Sequence, residues 1–251
     1  MKYLLIAVLL ISSCSQKSDA EIGAEKGSVT GKIMDAGGQP LKGVTVYAGH
    51  HTYYNTNVIG VTNEKGEYAL NLKGQPGGSW SVHGEYIKTY NNMTYTFRLE
   101  PENTDPLTTT EGGVRNMKWK LTGLIPGTTD DSRIGGYVTY MSDDFIPAEE
   151  VEFRLEPVGK LVDGSSGQTI VRKAENFPYH LSGLYDNKGL RDIPVGRYKI
   201  SAVHKPTEGV PIALKVAKRG GTYESNIIAD FKQEVPNSYQ EIELNIKGPG
   251  N

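Results

Sequence analysis

The stretch that decides the fold is residues 27–86, which read GSVTGKIMDAGGQPLKGVTVYAGHHTYYNTNVIGVTNEKGEYALNLKGQPGGSWSVHGEY. Apolar or small residues alternate with polar ones at Val29, Gly31 and Ile33, and again at Leu70 and Leu72, which is the period of a half-buried strand. Gly and Asn cluster between these runs, and such clusters supply the residues that reversing turns need. Short strands at this turn spacing predict a β-sandwich.

The composition of the whole chain agrees with this pattern. Its 251 residues include 30 Gly, 13 Pro and 15 Tyr, whereas no run of good helix formers follows the N-terminal segment. Turn formers combined with strand formers favour an all-β fold. The formal net charge is −2 and no dense Lys/Arg block occurs, so the sequence predicts no nucleic-acid partner.

Residues 27–100 resemble the carboxypeptidase regulatory-like domain, a family with a transthyretin-like fold. The residues that carry the resemblance are Gly31, Asp35, Pro40, Leu41, Gly43, Val44, Val46, Thr62, Gly66 and Tyr68. Asn63 stands where the family usually has Asp, which preserves the turn chemistry. The resemblance implies a transthyretin-like β-sandwich and carries no catalytic residues. In Bacteroidetes such modules occur on outer-membrane transporters and surface lipoproteins.

The first 13 residues have the layout of a signal peptide, with Lys2 followed by an apolar run and then two serines. That run is too short to span a bilayer. The segment 11–14 resembles the bacterial lipobox, which predicts lipidation of Cys14 by fatty acids such as palmitate. Cys14 is the only cysteine, so it cannot form an internal disulfide. The alternative is a plain signal peptide in which Cys14 is incidental.

Residues 14–26 are polar and lack periodicity, which predicts a flexible tether behind the lipid. Ser15 follows the cysteine, and the charged residues after it resemble the surface-export signal of Bacteroidetes lipoproteins. The predicted location is therefore the outer membrane, with the protein held there by lipid and facing either the surface or the periplasm.

The remainder of the chain predicts a second β-sandwich module at residues 131–251, joined to the first by a connecting segment, 101–130, that contains one strand. The second region repeats the rhythm of the first, with an alternating strand at 151–155 and a Pro-Gly-Tyr strand start at 194–198. An inserted loop is expected at 163–177. The sequence thus predicts two transthyretin-like modules behind a lipoprotein signal peptide.

Searches for catalytic and metal-binding patterns find nothing specific. The sequence contains no H-E-x-x-H zinc motif and no G-x-S-x-G nucleophile elbow. His50 and His51 are adjacent, and adjacent strand residues point to opposite faces. The predictions are therefore no catalytic residues, no metal and no cofactor.

Aromatic side chains beside amides are the strongest ligand-related feature, because sugar rings present apolar faces and hydroxyl edges. The predicted ligand-binding residues are Tyr53, Tyr54, Trp80, Tyr86 and Tyr90. The competing interpretation is that these residues pack the sheets, since tyrosine is an ordinary strand former. Tyr53 and Tyr54 are expected to be exposed, because they lie in a Thr/Asn-rich loop.

Three functional hypotheses follow. The first is a non-enzymatic envelope lipoprotein that contacts a glycan or a partner protein, such as an outer-membrane transporter. The second is a purely structural spacer of the cell envelope. The third is a hydrolase without a recognisable motif.

Overall fold

The computed structural model describes residues 25–129, 131–142, 144–178, 186–236 and 238–249. Within these ranges the regular elements are strands, apart from one turn of 3-10 helix at Ala148–Glu150. The predicted all-β sandwich fold is confirmed.

The N-terminal predictions fall outside this part of the chain. Cys14, the signal peptide and most of the tether are not among the described residues. The predicted lipid anchor therefore stays a prediction from sequence.

The first module consists of two facing sheets. Its strands are β1 (Ser28–Met34), β2 (Thr45–His50), β3 (Asn57–Val61), β4 (Glu67–Asn71), β5 (Trp80–Tyr90), β6 (Met93–Leu99), β7 (Gly113–Val114) and β8 (Met117–Lys118). One sheet has the order β4-β1-β7, with β8 also paired to β1, and the other has the order β3-β2-β5-β6. The apolar side chains of the alternating patterns, such as Val29, Val46 and Leu70, are buried between them.

The residues that carry the family resemblance have physical roles in this module. The buried hydroxyl of Thr62 accepts a hydrogen bond from the Val44 N–H at 2.9 Å and donates one to the Leu41 carbonyl at 2.6 Å. Gly66 has φ +73°, and a Cβ built on it would lie 2.4 Å from the Ile33 carbonyl oxygen. A side chain at position 66 would therefore clash as well as strain the backbone.

The segment after residue 100 differs from the predicted connection with one strand. It contributes two short strands, β7 and β8, which both pair parallel with β1. Tyr68 donates a hydrogen bond from its hydroxyl to the Arg115 carbonyl, which ties the segment to β4. The local pattern did not show this, because the pairing partner lies more than 80 residues earlier in the chain.

The second module is one continuous set of strands. They are β9 (Gly136–Ser142), β10 (Val151–Pro157), β11 (Ile170–Lys173), β12 (Glu175–Pro178), β13 (Asp186–Ile193), β14 (Arg197–His204), β15 (Ile212–Lys218), β16 (Ile227–Asp230) and β17 (Glu241–Lys247). The order is β11-β10-β14-β15-β17-β9-β13-β12, with β16 paired to β14.

Strand β15 joins the two layers of this module. Its first residues pair with β14 and its last residues pair with β17. The rings of Tyr140 on β9 and Phe153 on β10 lie 5.3 Å apart, which places those strands face to face across the core. Residues 163–177, predicted as an inserted loop, include all of β11 and most of β12.

The two modules meet along the β5–β6 hairpin. Tyr95 donates a hydrogen bond from its hydroxyl to the Phe231 carbonyl at 2.7 Å. The Gln233 amide accepts from the Thr96 N–H at 2.7 Å and donates to the Thr96 carbonyl at 3.0 Å. We call this set of contacts, together with those of Tyr90 described below, the module junction.

Candidate functional site

The exposed tyrosines predicted from sequence lie on the loop between β2 and β3. We call residues 51–56 the tyrosine loop. Its ends are tied by backbone hydrogen bonds, from the His50 N–H to the Thr56 carbonyl at 3.0 Å and from the His51 N–H to the Ser79 carbonyl at 2.9 Å. The loop is therefore held against both its own strands and the turn that precedes β5.

The imidazole of His50 fixes the backbone of the tyrosine loop through hydrogen bonds. Its Nδ1 accepts hydrogen bonds from the Thr52 N–H at 3.0 Å and the Tyr53 N–H at 3.1 Å. Nε2 lies 2.9 Å from the Gly77 carbonyl oxygen. Since Nδ1 accepts, we assign the proton to Nε2, which donates to Gly77. The ring of His50 thus contacts the backbone of two loops.

The tyrosine loop presents two rings to solvent. Tyr54 is 99% exposed and Tyr53 is 56% exposed. The ring of Tyr53 lies 4.7 Å from that of His50, at a tilt of 35°. Asn55 adopts φ 55° at the loop tip, beside the amide of Asn57. Flat apolar rings next to amide donors and acceptors can contact the face and the hydroxyl edge of a sugar.

The other three predicted ligand residues are not exposed beside Tyr53 and Tyr54, so the five residues do not form one exposed site. Trp80 is fully buried, and its indole N–H donates to the Pro76 carbonyl at 3.2 Å. Its ring contacts that of His50 edge-on at 5.0 Å, so it supports the tyrosine loop from below. Because Trp80 is buried, it cannot contact a ligand directly in this structure.

Tyr86 and Tyr90 also have internal partners. Tyr86 packs edge-on against Trp119, with ring centroids 4.9 Å apart. Tyr90 donates from its hydroxyl to the Lys160 carbonyl at 2.7 Å and accepts from the Arg197 N–H at 3.1 Å, across the module junction. Its hydroxyl is therefore already used in joining the modules.

The solvent face of the sheet next to the tyrosine loop carries a feature that the sequence reasoning missed. The rings of Tyr47 and His83 stack at 5.0 Å with an angle of 12°, and the Tyr47 hydroxyl donates to Glu85 at 3.2 Å. Burial and the charge of Arg98 lower the pKa of His83 to about 4, although Glu85 acts in the opposite direction. The spacing of His83 and Glu85, two residues apart on one strand, was the sequence signal from which this feature could have been predicted.

A groove of about 1000 Å³ on the second module was not predicted either. Exposed Met141 and Phe145 line it together with Glu241, Glu243 and Arg219. Arg219 pairs with Glu243, whereas burial raises the pKa of Glu241. In the described part of the chain no cluster of His, Cys, Asp and Glu side chains is suited to holding a metal ion.

No family model matches the chain, and no curated protein matches it either. Several solved structures are similar at low identity. The TIE protein of Bacillus anthracis is 15% identical with a TM-score of 0.30, and the match covers 89% of this chain and 34% of that one. The chain thus spans about a third of the length of that protein.

Two pilins are similar at the same level. The shaft pilin SpaA of Lactobacillus rhamnosus GG is 12% identical with a TM-score of 0.24, over 90% of this chain and all of the pilin. A streptococcal ancillary pilin is 13% identical with a TM-score of 0.24, over 92% of this chain and 64% of the pilin.

Among the described residues no helix has the length and apolar character needed to cross a membrane.

Proposed function

We propose that this chain is a non-enzymatic lipoprotein of the cell envelope whose tyrosine loop contacts a glycan. The observation that carries the proposal is the near-complete exposure of the Tyr54 ring, at 99%, on a loop whose backbone is fixed by His50. A rigid loop loses little conformational entropy when it binds, so an aromatic ring presented on it makes an efficient contact.

The proposed setting comes from the sequence. The signal peptide at 1–13 and the lipobox-like segment before Cys14 support a lipid anchor in the outer membrane. The resemblance of residues 27–100 to the carboxypeptidase regulatory-like domain supports a contact role at the envelope rather than catalysis. The tether at 14–26 would then set how far the modules stand from the membrane.

A glycan array probed with the mature protein tests the proposed site. We expect binding to fall at least tenfold in Tyr54→Ala and Tyr53→Ala, because central aromatic contacts contribute about 2 kcal/mol or more to interfaces. Phe145→Ala is the matched control, since Phe145 is a fully exposed aromatic residue on the second module. Unchanged binding by both tyrosine variants would remove the tyrosine loop from the proposal.

A purely structural spacer is the second candidate, and the module junction favours it. Tyr90, Tyr95 and Gln233 join the modules through hydrogen bonds of 2.7–3.1 Å, which restricts hinging between them. A spacer would show no glycan binding on the array and would capture only envelope proteins in a pull-down. The hydrolase alternative is tested by assaying the same preparation for peptidase, esterase and glycosidase turnover.

A further inference from the structure

Strand β3 forms one edge of the sheet β3-β2-β5-β6, and in the part of the chain that the structure describes it pairs with β2 alone. At the two ends of β3, the Thr56 carbonyl and the Thr62 N–H are bonded to β2 or to the residue before it. Because bonding alternates along an antiparallel pair, the N–H and C=O groups of Asn57, Ile59 and Val61 point away from the sheet. We call these groups the outer edge of β3.

The outer edge of β3 lacks the features that usually keep strand edges from associating, which are charges, proline, bulges or a covering segment. The strand reads NVIGV, with no charged residue and no proline, and its register with β2 is regular throughout. Other edges of the molecule do carry such features. Exposed Arg172 and Lys173 lie on β11, exposed Glu175 lies on β12, and the side chain of Gln233 covers β6.

The solvent-facing side chains of β3 are apolar. Ile59 is 57% exposed and Val61 is 60% exposed. On β2 their direct neighbours are Tyr47 and Thr45, so each is flanked on one side only. A strand added at the outer edge would flank them on the other side and remove apolar surface from water.

The sequence of β3 fits a second copy of itself. In an antiparallel pair centred on Ile59, Ile59 lies opposite the same residue of the second copy, and Asn57 lies opposite Val61. This register lets all three outward-facing residues of each strand exchange hydrogen bonds. On the other face of the pair Val58 lies opposite Gly60, so a branched side chain meets a residue that has none.

Charge does not oppose such self-pairing. Residues 51–63 contain no Asp, Glu, Lys or Arg, so the strand and its flanks place no like charges opposite each other. Glu64 and Lys65, in the turn after β3, would lie alongside the uncharged tyrosine loop of the second copy. The contacts of the module junction lie on the β5–β6 hairpin, at the opposite edge of this sheet.

We infer that two copies of this chain associate through their β3 strands, paired antiparallel about a two-fold axis at Ile59. The pairing joins two four-stranded sheets into one continuous sheet. Two-fold symmetry closes the interface, so association stops at the dimer. Since β3 has five residues, and a standard interface uses about 20–30 residues a side, we expect the dimer to be reversible.

Sedimentation velocity over a concentration series measures this association. The sample is the mature chain started at Ser15, so that no lipid contributes to self-association. The weight-average sedimentation coefficient is expected to rise with concentration and to level off at the dimer. A monomer at every concentration up to about 1 mM, or continued growth beyond the dimer, would overturn the inference.

Charge variants at Ile59 test the pairing itself. Ile59→Lys places two ammonium groups opposite each other, so the dissociation constant of the dimer should rise about tenfold or more. Ile59→Glu should have the same effect, whereas an equal mixture of the two variants should recover the dimer because opposite charges then meet. A mixture that stays monomeric contradicts the two-fold pairing at Ile59.

Val171→Lys is the matched control for the charge variants. Val171 is a β-branched residue, 49% exposed, on the edge strand β11 of the second module. The control should dimerise as the wild type does. Unchanged dimerisation of Ile59→Lys, or an equal loss in Val171→Lys, argues against association through β3.

A single-cysteine variant keeps the test informative if the charge variants fold poorly. The chain from Ser15 onward has no cysteine of its own, so Ile59→Cys carries one thiol. Hydrogen-bonded residues opposite each other in an antiparallel pair have Cα atoms about 5.5 Å apart, within the range of about 4.4–6.8 Å for disulfides.

Mild oxidation is expected to link Ile59→Cys into a disulfide dimer at concentrations where Val171→Cys stays monomeric. No link in Ile59→Cys, or equal linking of the two variants, would count against the proposed interface. Association is measured without any glycan, so its outcome is independent of the proposed function of the tyrosine loop.

Discussion

His50 shows how a single residue can fix the backbone of a loop that carries exposed aromatic rings. Its two ring nitrogens hold three backbone groups, at Thr52, Tyr53 and Gly77. We expect His50→Ala to weaken glycan binding as Tyr54→Ala does, because the freed loop must be ordered on binding. The measurement is the array of the proposed function, with amide hydrogen exchange of residues 51–56 as the structural readout. Slow exchange in that variant would contradict the role of His50.

His83 makes a second prediction at this scale. Its pKa in the folded protein is about 4, below the ordinary value near 6.5, because burial and Arg98 disfavour the cation. Between these two pH values the unfolded chain binds the proton and the folded chain does not, so stability falls as pH decreases from about 6.5 to about 4.

Urea denaturation at pH 7 and pH 4.5 checks this expectation for His83. Since other groups also titrate in the window, the relevant quantity is the difference between the wild type and His83→Gln. The variant should lose less stability on acidification. An equal loss in both proteins would show that His83 does not contribute.

At the scale of elements, the edge of β6 that pairs with no strand of its own sheet is covered by the side chain of Gln233. The Gln233 amide bonds both the N–H and the carbonyl of Thr96, as a neighbouring strand would. Uncovered strand edges promote association between chains. Gln233→Ala should therefore lower the free energy of unfolding by about 1–3 kcal/mol, because it leaves partly buried backbone groups unpaired.

Urea unfolding of that variant, with light scattering to detect association, measures both consequences. Gln75→Ala is the control, since Gln75 lies exposed on a turn of the first module. Equal stabilities of the two variants would mean that the amide of Gln233 adds nothing to the edge of β6.

At the scale of the whole molecule, the proposed anchor governs where both modules reside. If Cys14 is acylated, the mature protein should partition into the detergent phase of a Triton X-114 extraction, because each buried methylene contributes about 0.8 kcal/mol. Cys14→Ser should move the protein to the aqueous phase or leave the signal peptide attached. Mass spectrometry that finds an unmodified Cys14 in the mature wild-type protein would contradict the lipoprotein assignment.

The alternation of apolar residues was sufficient to predict the all-β fold and its turns. In alternating runs such as 68–72 every second side chain faces the core, because a period of two places successive side chains on opposite faces of a strand. The exposure of Tyr53 and Tyr54 followed from their place between two such runs. Local sequence decides these features since local backbone geometry produces them.

Only the tertiary structure decided which of the remaining aromatic residues are available to a ligand. Tyr90 and Tyr95 lie on the β5–β6 hairpin. Tyr90 contacts Lys160, which is 70 residues later in the chain, and Tyr95 contacts Phe231, which is 136 residues later, so no local sequence pattern indicates these contacts. Trp119 likewise lies beside a cleft that exists because two modules meet there. Burial by distant segments depends on the summed packing of both modules, so it emerges only when the whole chain has folded.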